Sequence, residues 1–402
     1  MNAQLPYTVI SADTHAGASV KDYRTYLDNK HKQIFDDWLG SHDTRHKKHI
    51  GSKKHKNWDD MERMADMAAE GIVGEVIYPN TVPPFFRTSV LISGNPRPQD
   101  YPLQLEGIRA HNRWLADWCS EFPDQRAGIG LIYLHDIDEA IKDVEWIAQN
   151  NLRGGVLLPH IPDDCTSFIK PLYAPEYDRL WAAIQDLDLV MNHHGGTGSP
   201  DYGRYAHSLP VRLFETGFFS TRSYSHLLLA GVFERFPSLR YIVTEAGCSW
   251  VPDTLTRLDT TWERVRRGSF GEFQFPREIC TPEPPSFYAK RNCWYGASSP
   301  PPKELIDRDV IGVDRILWGS DYPHYEGTFP YTRLSLRHSF RDISSSDVRK
   351  ILGLNAADLY GFDLQELQPL AEAFGPKVDE VAMPLRHEHI PTDSFSTVFG
   401  TL

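Results

Sequence analysis

The chain has 402 residues, of which 41% are hydrophobic and 24% charged, and its formal net charge at pH 7 is -12. This acidic balance argues against a general nucleic-acid-binding surface, which needs clustered Lys and Arg to neutralise phosphates. No stretch approaches the roughly 18 apolar residues of a membrane span, and the first residues lack a signal-peptide pattern. We therefore expect a soluble, cytoplasmic protein that acts on small molecules and binds neither nucleic acid nor membrane.

The five cysteines are widely spaced and form no C-x-x-C pair. Neither a disulfide framework nor a structural zinc knuckle is indicated, which fits a reducing compartment.

Strand and helix patterns alternate along the chain without an internal repeat. The predicted strands are 7–13, 73–79, 128–134, 154–159, 188–194, 239–247, 292–296 and 315–321. The predicted helices are 58–70, 102–121, 137–149, 175–187, 217–235, 250–266, 302–309, 330–340, 345–351 and 355–361. Alternation favours a parallel sheet, and eight such units favour closure into an α/β fold, a (β/α)8 TIM barrel with inserted loops and a C-terminal tail.

Two segments do not follow this alternation. Residues 40–57 hold six Lys or Arg and four His. This segment is either a solvated insertion or a lid that meets an anionic substrate or an acidic partner. The tail from 363 to 402 has weak periodicity and is predicted to be an arm that packs on the body or on a second subunit. The predicted division is thus a barrel over 1–362 and an arm over 363–402.

Acidic and imidazole side chains fall at the ends of several predicted strands. Asp13 and His15 form D-x-H, and alternation along an extended backbone points both the same way, so one metal ion can meet both. Asp321 ends the last strand, and His193 and His194 end the fifth. Neighbouring strand residues point oppositely, so only one of those two histidines faces the barrel axis. Each acid alone is also typical of a cap or turn, but the carboxyl ends of barrel strands meet at one place.

These motifs resemble those of the amidohydrolase superfamily, in the branch that also contains the aminocarboxymuconate-semialdehyde and resorcylate decarboxylases. The resemblance covers about residues 7–362 and rests on the D-x-H, EVIYPN, HNRWLADWC, NHHGG, GVFERFPSLRYIVTEAGCSWVP, GSDYPH and LGLNAADLYGF segments. It implies that Asp13, His15, His194 and Asp321 are metal ligands. His194 is preferred over His193 because the family's ligand immediately precedes a small-residue loop.

The sequence also departs from the family pattern. Many members have H-x-H where this chain has D-x-H, and the decarboxylases have a histidine where it has Glu245. The lysine that bridges two metals in some members is absent, and His160 lies at that strand end. With Glu245 and His160 the set has three carboxylates and three imidazoles, which favours two Fe or Mn ions over a single Zn ion. Alternatively, Glu245 orients a ligand histidine and His160 is an exposed turn residue.

Three functions are compatible with such a site. By a narrow margin we favour a non-heme dinuclear Fe/Mn monooxygenase of this superfamily, which would need an electron-donor protein. The alternative is a metal-dependent hydrolase or decarboxylase. In that enzyme Glu245 or Asp321 is the general base, and His193 or His324 is the electrophilic or acid partner. The third is a supporting subunit in a homo- or hetero-oligomer with an active relative. In each enzyme, substrate is expected to contact Tyr78, Asn80, Asn192 and Tyr322.

Overall fold

Eight parallel strands form one sheet in a computed structural model that describes residues 5–41, 54–159 and 169–399. Their order is β1-β2-β3-β4-β5-β6-β9-β10. The strands are β1 (Val9–Ala16), β2 (Ile72–Pro79), β3 (Arg126–Leu131), β4 (Gly155–Leu157), β5 (Val190–His194), β6 (Arg240–Thr244), β9 (Cys293–Ser298) and β10 (Ile316–Gly319), and β7 (Ser269–Phe270) pairs with β8 (Phe273–Gln274) as a separate hairpin. The sequence prediction of a TIM barrel is confirmed.

The ring closes between β1 and the residues that follow β10. The backbone N–H of Asp321 donates to the carbonyl of Asp13 at 2.9 Å, and that of His15 donates to the carbonyl of Tyr322 at 2.7 Å. The seam of the barrel therefore lies at the carboxyl ends of its first and last strands.

The helices surround this ring. They are α1 (Lys32–Ser41), α2 (Asp60–Glu70), α3 (Tyr101–Ser120), α4 (Ile137–Gln149), α5 (Asp178–Asp186), α6 (Ser208–Ser220), α7 (Arg222–Leu229), α8 (Val232–Arg235), α9 (Val251–Arg267), α10 (Pro285–Asn292), α11 (Arg308–Ile311), α12 (Thr332–Phe340), α13 (Ser345–Arg349), α14 (Asn355–Tyr360), α15 (Leu364–Phe374) and α16 (Val378–Ala382). None of the helices in the described ranges is long and apolar enough to cross a membrane.

Most predicted helices agree with these bounds within three residues, but the segment predicted as 217–235 differs. It is part of α6 followed by α7 and α8, with breaks at Thr221 and Gly231. Gly231 has φ of 64°, a conformation that ends a helix and that glycine adopts without steric cost. The predicted helix 302–309 is a 3-10 turn (Pro302–Leu305) followed by α11.

The core has two layers, one inside the barrel and one between strands and helices. Ile10 and Ala12 of β1 belong to the inner cluster, whereas Val9 belongs to the outer one. The pairing of β1 with β2 is irregular between Ser11 and Thr14. Such a bulge changes which side chains face inward, and Asp13 here reaches the axis although it directly follows the inward-facing Ala12.

The tail over 363–399 packs on the barrel of its own chain. Leu367 and Ala371 of α15 are fully buried, and Leu367 joins the inner cluster. The backbone N–H of Tyr7 donates to the carbonyl of Pro376, and Arg333 pairs with Glu380 of α16. These contacts anchor the tail just before β1 and on α12. The division at residue 362 stays a prediction, and the central part of the basic segment, residues 42–53, lies outside the described residues.

Candidate metal centre

Four buried side chains converge inside the carboxyl end of the barrel. His15 Nε2 lies 3.3 Å from Asp13 Oδ1 and 3.2 Å from Asp321 Oδ1, and His194 Nε2 lies 3.3 Å from Asp13 Oδ1. Each of these residues is at most 3% exposed. Strands β1 and β5 and the residues after β10 thus bring together ligands predicted from widely separated parts of the sequence.

Two overlapping groups of potential ligand atoms are present. Asp13, His15 and His194 form one, and His15, Asp321 and His324 form the other, with His15 shared. His324 was predicted as a catalytic residue and not as a ligand. It comes three residues after Asp321, and its Nδ1 lies 2.7 Å from the Asp321 carboxylate.

The residues present fit a divalent metal ion. His15 Nε2 is buried and, among the described residues, has no well-oriented hydrogen bond, although it faces two carboxylates. A buried imidazole nitrogen that faces two carboxylates without a well-oriented hydrogen bond is placed as a metal ligand would be. Carboxylate and imidazole donors are what Mn, Fe and Zn accept in proteins. Asp13 is held in place by the Ser298 hydroxyl, which donates to its other oxygen.

The electrostatics of the centre show the same need for positive charge. Burial opposes ionisation of Asp13, but His194 and His15 outweigh it and lower the pKa of Asp13. Burial likewise disfavours charged His194, yet Glu245 and Asp13 raise the pKa of His194 to about 9. Burial also disfavours charged His324, but the Asp321 carboxylate outweighs this effect and raises the pKa of His324 to about 10. The imidazoles thus hold protons where a cation would neutralise the acids.

Glu245 follows β6 directly and lies behind His194. Its Oε2 is 3.3 Å from His194 Nδ1, whereas Asp13 faces the other ring nitrogen, Nε2. Gly195 permits this approach, since a Cβ there would lie 2.9 Å from Oε2 and 2.5 Å from the Glu245 carbonyl oxygen. His194 Nδ1 is also 2.8 Å from the carbonyl oxygen of Gly195, and Glu245 belongs to neither ligand group, so its predicted roles as ligand or as orienting residue stay predictions. Its side chain remains 31% exposed, and burial raises its pKa to about 7 against the opposing effect of His194.

Both acids that follow strand ends have strained backbones. Glu245 has φ of 57° and Asp321 has φ of 58°, in the left-handed region that favours glycine. Such conformations cost about 1–3 kcal/mol and persist where the surroundings impose them. Here the Glu245 N–H donates to Gly296 and the Asp321 N–H to Asp13, so each turn is tied to a neighbouring strand.

The predicted substrate-binding residues have different surroundings. Tyr78 and Asn192 are fully buried inside the barrel, where the Tyr78 hydroxyl donates to Thr244 and the Asn192 amide donates to backbone carbonyls. The Tyr322 hydroxyl donates to Asp66. Asn80 is partly exposed and its Oδ1 lies 3.1 Å from His324 Nε2, so it fixes that ring. None of the four contacts identifies a substrate, and their binding roles stay predictions.

The other two predicted histidines, His193 and His160, are a separate case. His193 is fully buried on β5, and strand alternation turns it away from the side on which His194 lies. His160 lies outside the described residues, so its predicted role as a ligand stays untested. Ser298 was not predicted from the sequence. Its position at the end of β9, the same end of the barrel as the predicted ligands, could have indicated it.

A second buried ionic cluster supports β1 from the opposite side. Both oxygens of Glu75 accept hydrogen bonds from the Arg63 guanidinium, and Thr14 donates to Glu75 as well. Arg63 also donates to the carbonyl of His15 at 2.9 Å. Glu75 lies 3.4 Å from the Nε of Arg126, which is also fully buried. We call Arg63, Glu75 and Arg126 the arginine cluster. It fixes the backbone of His15, which is a predicted metal ligand.

A closed parallel barrel with carboxylates and histidines at its carboxyl end defines the class of TIM-barrel, metal-dependent enzymes. The family model described as amidohydrolase matches residues 101–362, and the chain belongs to this family.

Several solved structures share the fold. An amidohydrolase from Mycobacterium avium subsp. paratuberculosis K-10 is 21% identical, with a TM-score of 0.65 over 88% of this chain and 99% of that one. The 5-carboxyvanillate decarboxylase of Sphingomonas paucimobilis is 18% identical, with a TM-score of 0.63 over 89% and 100%. A dihydroxybenzoic acid decarboxylase of Polaromonas sp. JS666, solved with manganese and 2-nitroresorcinol, is 18% identical, with a TM-score of 0.62 over 90% and 99%.

Proposed function

We propose that the protein is a metal-dependent decarboxylase of small, hydroxylated organic acids. The observation that carries the proposal is the position of His15 Nε2 between the carboxylates of Asp13 and Asp321, without a well-oriented hydrogen bond to either, because it marks a position for one divalent ion. His194 completes a four-residue set around that position. Similar solved proteins are decarboxylases of hydroxylated aromatic acids, and one of them holds manganese.

A divalent ion at this position would orient the oxygens of the substrate and withdraw electron density from it. Glu245 supplies the proton in this scheme, because its side chain remains partly exposed beside the centre. The bond between the carboxyl carbon and its neighbour breaks, the neighbouring carbon takes its electron pair together with the proton of Glu245, and carbon dioxide leaves. Glu245 then regains a proton from water, so the reaction needs no oxidant.

His324 and Asn80 hold the other side of the centre. The His324 ring lies between the Asp321 carboxylate and the Asn80 amide oxygen, at 2.7 and 3.1 Å. Charged His324 therefore fixes one orientation of Asp321 and partly neutralises it. We assign to this pair the positioning of a ligand and not proton transfer to substrate.

One observation favours the monooxygenase that the sequence suggested. The second ligand group, made of His15, Asp321 and His324, overlaps the first, and two ions need two such groups. The similar structures reported above do not support a monooxygenase, since those with a stated reaction are decarboxylases. We therefore place non-oxidative decarboxylation first.

The test measures metal content, carbon dioxide release and the requirement for oxygen in the same preparation. Protein reconstituted with Mn, Fe or Zn would be assayed with 2,6-dihydroxybenzoate, 5-carboxyvanillate and a panel of related hydroxy acids. We expect about one ion per chain and equal release of carbon dioxide in air and under nitrogen. About two ions per chain, with a product that requires oxygen and a reductant, would establish the monooxygenase instead. One bound ion without carbon dioxide release from the whole panel would reject decarboxylation in favour of hydrolysis.

The variant Glu245→Gln separates ligand from proton donor. We expect it to keep its metal and lose carbon dioxide release, because the amide still contacts His194 and cannot donate an acidic proton. Loss of the metal would make Glu245 a ligand.

A further inference from the structure

A cavity of about 510 Å³ lies at the carboxyl end of the barrel, between the loops that follow β2 and β5 and the start of α6. Its walls include the apolar or aromatic side chains of Ile92, Tyr202 and Leu209, and Arg212 of α6 adds a guanidinium group. Small-molecule sites are typically clefts of about 300–1,000 Å³ with apolar walls and a few polar groups. The cavity therefore has the size and the lining of a small-molecule site.

The cavity borders the open side of the metal centre at two consecutive glycines. A Cβ on Gly195 would lie 2.9 Å from the Glu245 carboxylate, whose side chain is 31% exposed. A Cβ on Gly196 would lie 4.0 Å from Ile92 in the cavity wall. Gly196 follows His194 by two residues, so their Cα atoms are at most about 8 Å apart. A single small molecule can therefore extend from the metal position into the cavity.

Arg212 brings a positive charge to the cavity without an acidic partner. The residue is partly buried, and within the described ranges no carboxylate pairs with its guanidinium group. Glu215, three residues further along α6, accepts a hydrogen bond from the Tyr202 hydroxyl instead. Asp201 also lines the cavity, and it accepts the backbone N–H of Gly203 at 2.8 Å. Both nearby acids are thus engaged elsewhere, and the guanidinium group can bind an incoming carboxylate with two parallel hydrogen bonds.

Two further features of the wall favour an anionic group. Ser199 lines the cavity, and in the part of the chain that the structure describes its buried hydroxyl has no hydrogen-bond partner. The first two residues of α6, Ser208 and Leu209, form part of the same wall. The start of a helix carries partial positive charge, which adds to that of Arg212. Hydroxyl, helix start and guanidinium group together provide donors and positive potential for an anion.

We propose that this cavity receives the distal end of the substrate and that Arg212 binds a second anionic group there. The inference rests on the proposed function, in which the carboxylate that leaves as carbon dioxide is bound at the metal position. The preferred substrates are then hydroxylated acids with two carboxylates, one for the metal centre and one for Arg212. The part of the molecule between them lies along the apolar wall. Arg212 touches no reacting atom and determines specificity.

Equilibrium binding to the manganese-loaded protein tests the cavity without turnover. Calorimetry would compare dicarboxylates of increasing length, namely isophthalate, terephthalate and a biphenyl dicarboxylate, each with the monocarboxylate that lacks the second acid group. We expect at least one dicarboxylate to bind more tightly than its monocarboxylate. Arg212→Gln should weaken that dicarboxylate about 10- to 100-fold, because hydrogen bonds to a charged group are lost, and should leave the monocarboxylate unchanged.

The matched control is Arg204→Gln. It removes an exposed arginine from the same loop that does not belong to the cavity lining, and it should leave both affinities unchanged. Circular dichroism and metal content would show that each variant is folded and loaded.

Charge reversal provides a second measurement. In Arg212→Glu, para-aminomethylbenzoate, which has an ammonium group in place of the second carboxylate, should bind more tightly than it does to the unmodified protein. No advantage for any dicarboxylate, equal weakening of mono- and dicarboxylates by Arg212→Gln, or no gain by the ammonium compound would each overturn the proposal.

The outcomes for the cavity and for the proposed function are distinguishable. Release of carbon dioxide with no role for Arg212 would uphold the decarboxylase and reject this use of the cavity. A preference for dicarboxylates that depends on Arg212, without carbon dioxide release from the whole panel, would uphold the cavity and reject decarboxylation.

Discussion

Two buried ionic clusters lie on opposite sides of β1, and they differ in how their charges are matched. In the arginine cluster, both oxygens of Glu75 accept hydrogen bonds from Arg63, with Arg126 close by. In the metal centre, Asp13 and Asp321 face imidazoles, and His15 Nε2 has no well-oriented partner. Burial of charge is common to both. What distinguishes the metal centre is therefore that His15 Nε2 lies between two carboxylates without a well-oriented hydrogen bond. Burial of charged groups does not distinguish it, because both clusters are buried.

The two clusters also contact different parts of the same residue on β1. Arg63 holds the backbone of His15 through its carbonyl, while the side chain of His15 faces the metal position. Removing charge on the arginine side should therefore destabilise the fold, whereas removing charge on the metal side should reduce activity.

The largest expected effect follows from Asp13→Asn. It removes a carboxylate from the metal position, so we expect loss of the bound ion and a fall in kcat/KM on the order of 1000-fold. The folded state should persist, because the substitution keeps the shape of the side chain and an oxygen that can accept from the Ser298 hydroxyl. Metal analysis beside thermal unfolding would check both statements. Full metal content in Asp13→Asn would contradict the ligand assignment.

On the other side of β1, Glu75→Gln should destabilise the fold by about 3–5 kcal/mol, because two buried guanidinium groups lose their carboxylate. Denaturant unfolding measures the change. The control Glu62→Gln removes a partner of Lys56 at a partly exposed site and should cost no more than about 1 kcal/mol. Equal effects of the two variants would show that the arginine cluster has no special role.

The same cluster predicts a pH dependence. Burial alone would raise the pKa of Glu75, but Arg63 and Arg126 outweigh it and hold that pKa below its ordinary value of 4.5. A lowered pKa in the folded state adds stability above the ordinary pKa, and this contribution disappears as the pH falls through the folded value. The stability difference between the native protein and Glu75→Gln should thus be constant from about pH 6 to 8 and shrink below about pH 4.5. A constant difference at all pH values would exclude ionised Glu75 as its source.

The smallest expected effect is that of Asn80→Ala. It removes the contact between the amide oxygen and His324 Nε2, which is worth about 0.5–1.5 kcal/mol, or a loss of about 2- to 13-fold in kcat/KM. Metal content should not change, since Asn80 touches no atom of the first ligand group. Simultaneous loss of metal would mean that His324 is itself a ligand.

Much of the barrel could be predicted from the sequence because the strands are apolar runs that end at recognisable residues. All eight barrel strands were anticipated, and so was the meeting of Asp13, His15, His194 and Asp321. The rest depended on contacts that local patterns do not contain. Helix α6 was anticipated only in part because its apolar residues face solvent. Helix α15 was missed because Pro369 lies inside it and its buried residues pack on the barrel.

The orientation of Glu245 also could not be read from the sequence. A residue after a strand is expected to continue the strand's alternation, but Glu245 turns into the left-handed region. This turn brings its carboxylate to the Nδ1 side of His194. The contact of the Tyr322 hydroxyl with Asp66 on α2 likewise could not be read from the sequence, and the predicted contact of Tyr322 with substrate stays a prediction.

The seam of the barrel has a consequence for the order of events during synthesis. The carbonyl of Asp13 accepts the hydrogen bond of Asp321, and the Ser11 and Ser320 hydroxyls, 309 positions apart, are 2.9 Å from each other. A growing chain therefore displays Asp13 and His15 long before Asp321 has been made. The complete set of predicted ligands exists only once the last strand has joined the first. Under the proposed function, capture of the ion would therefore follow the final closure of the ring, and a chain interrupted before β10 would lack part of the site.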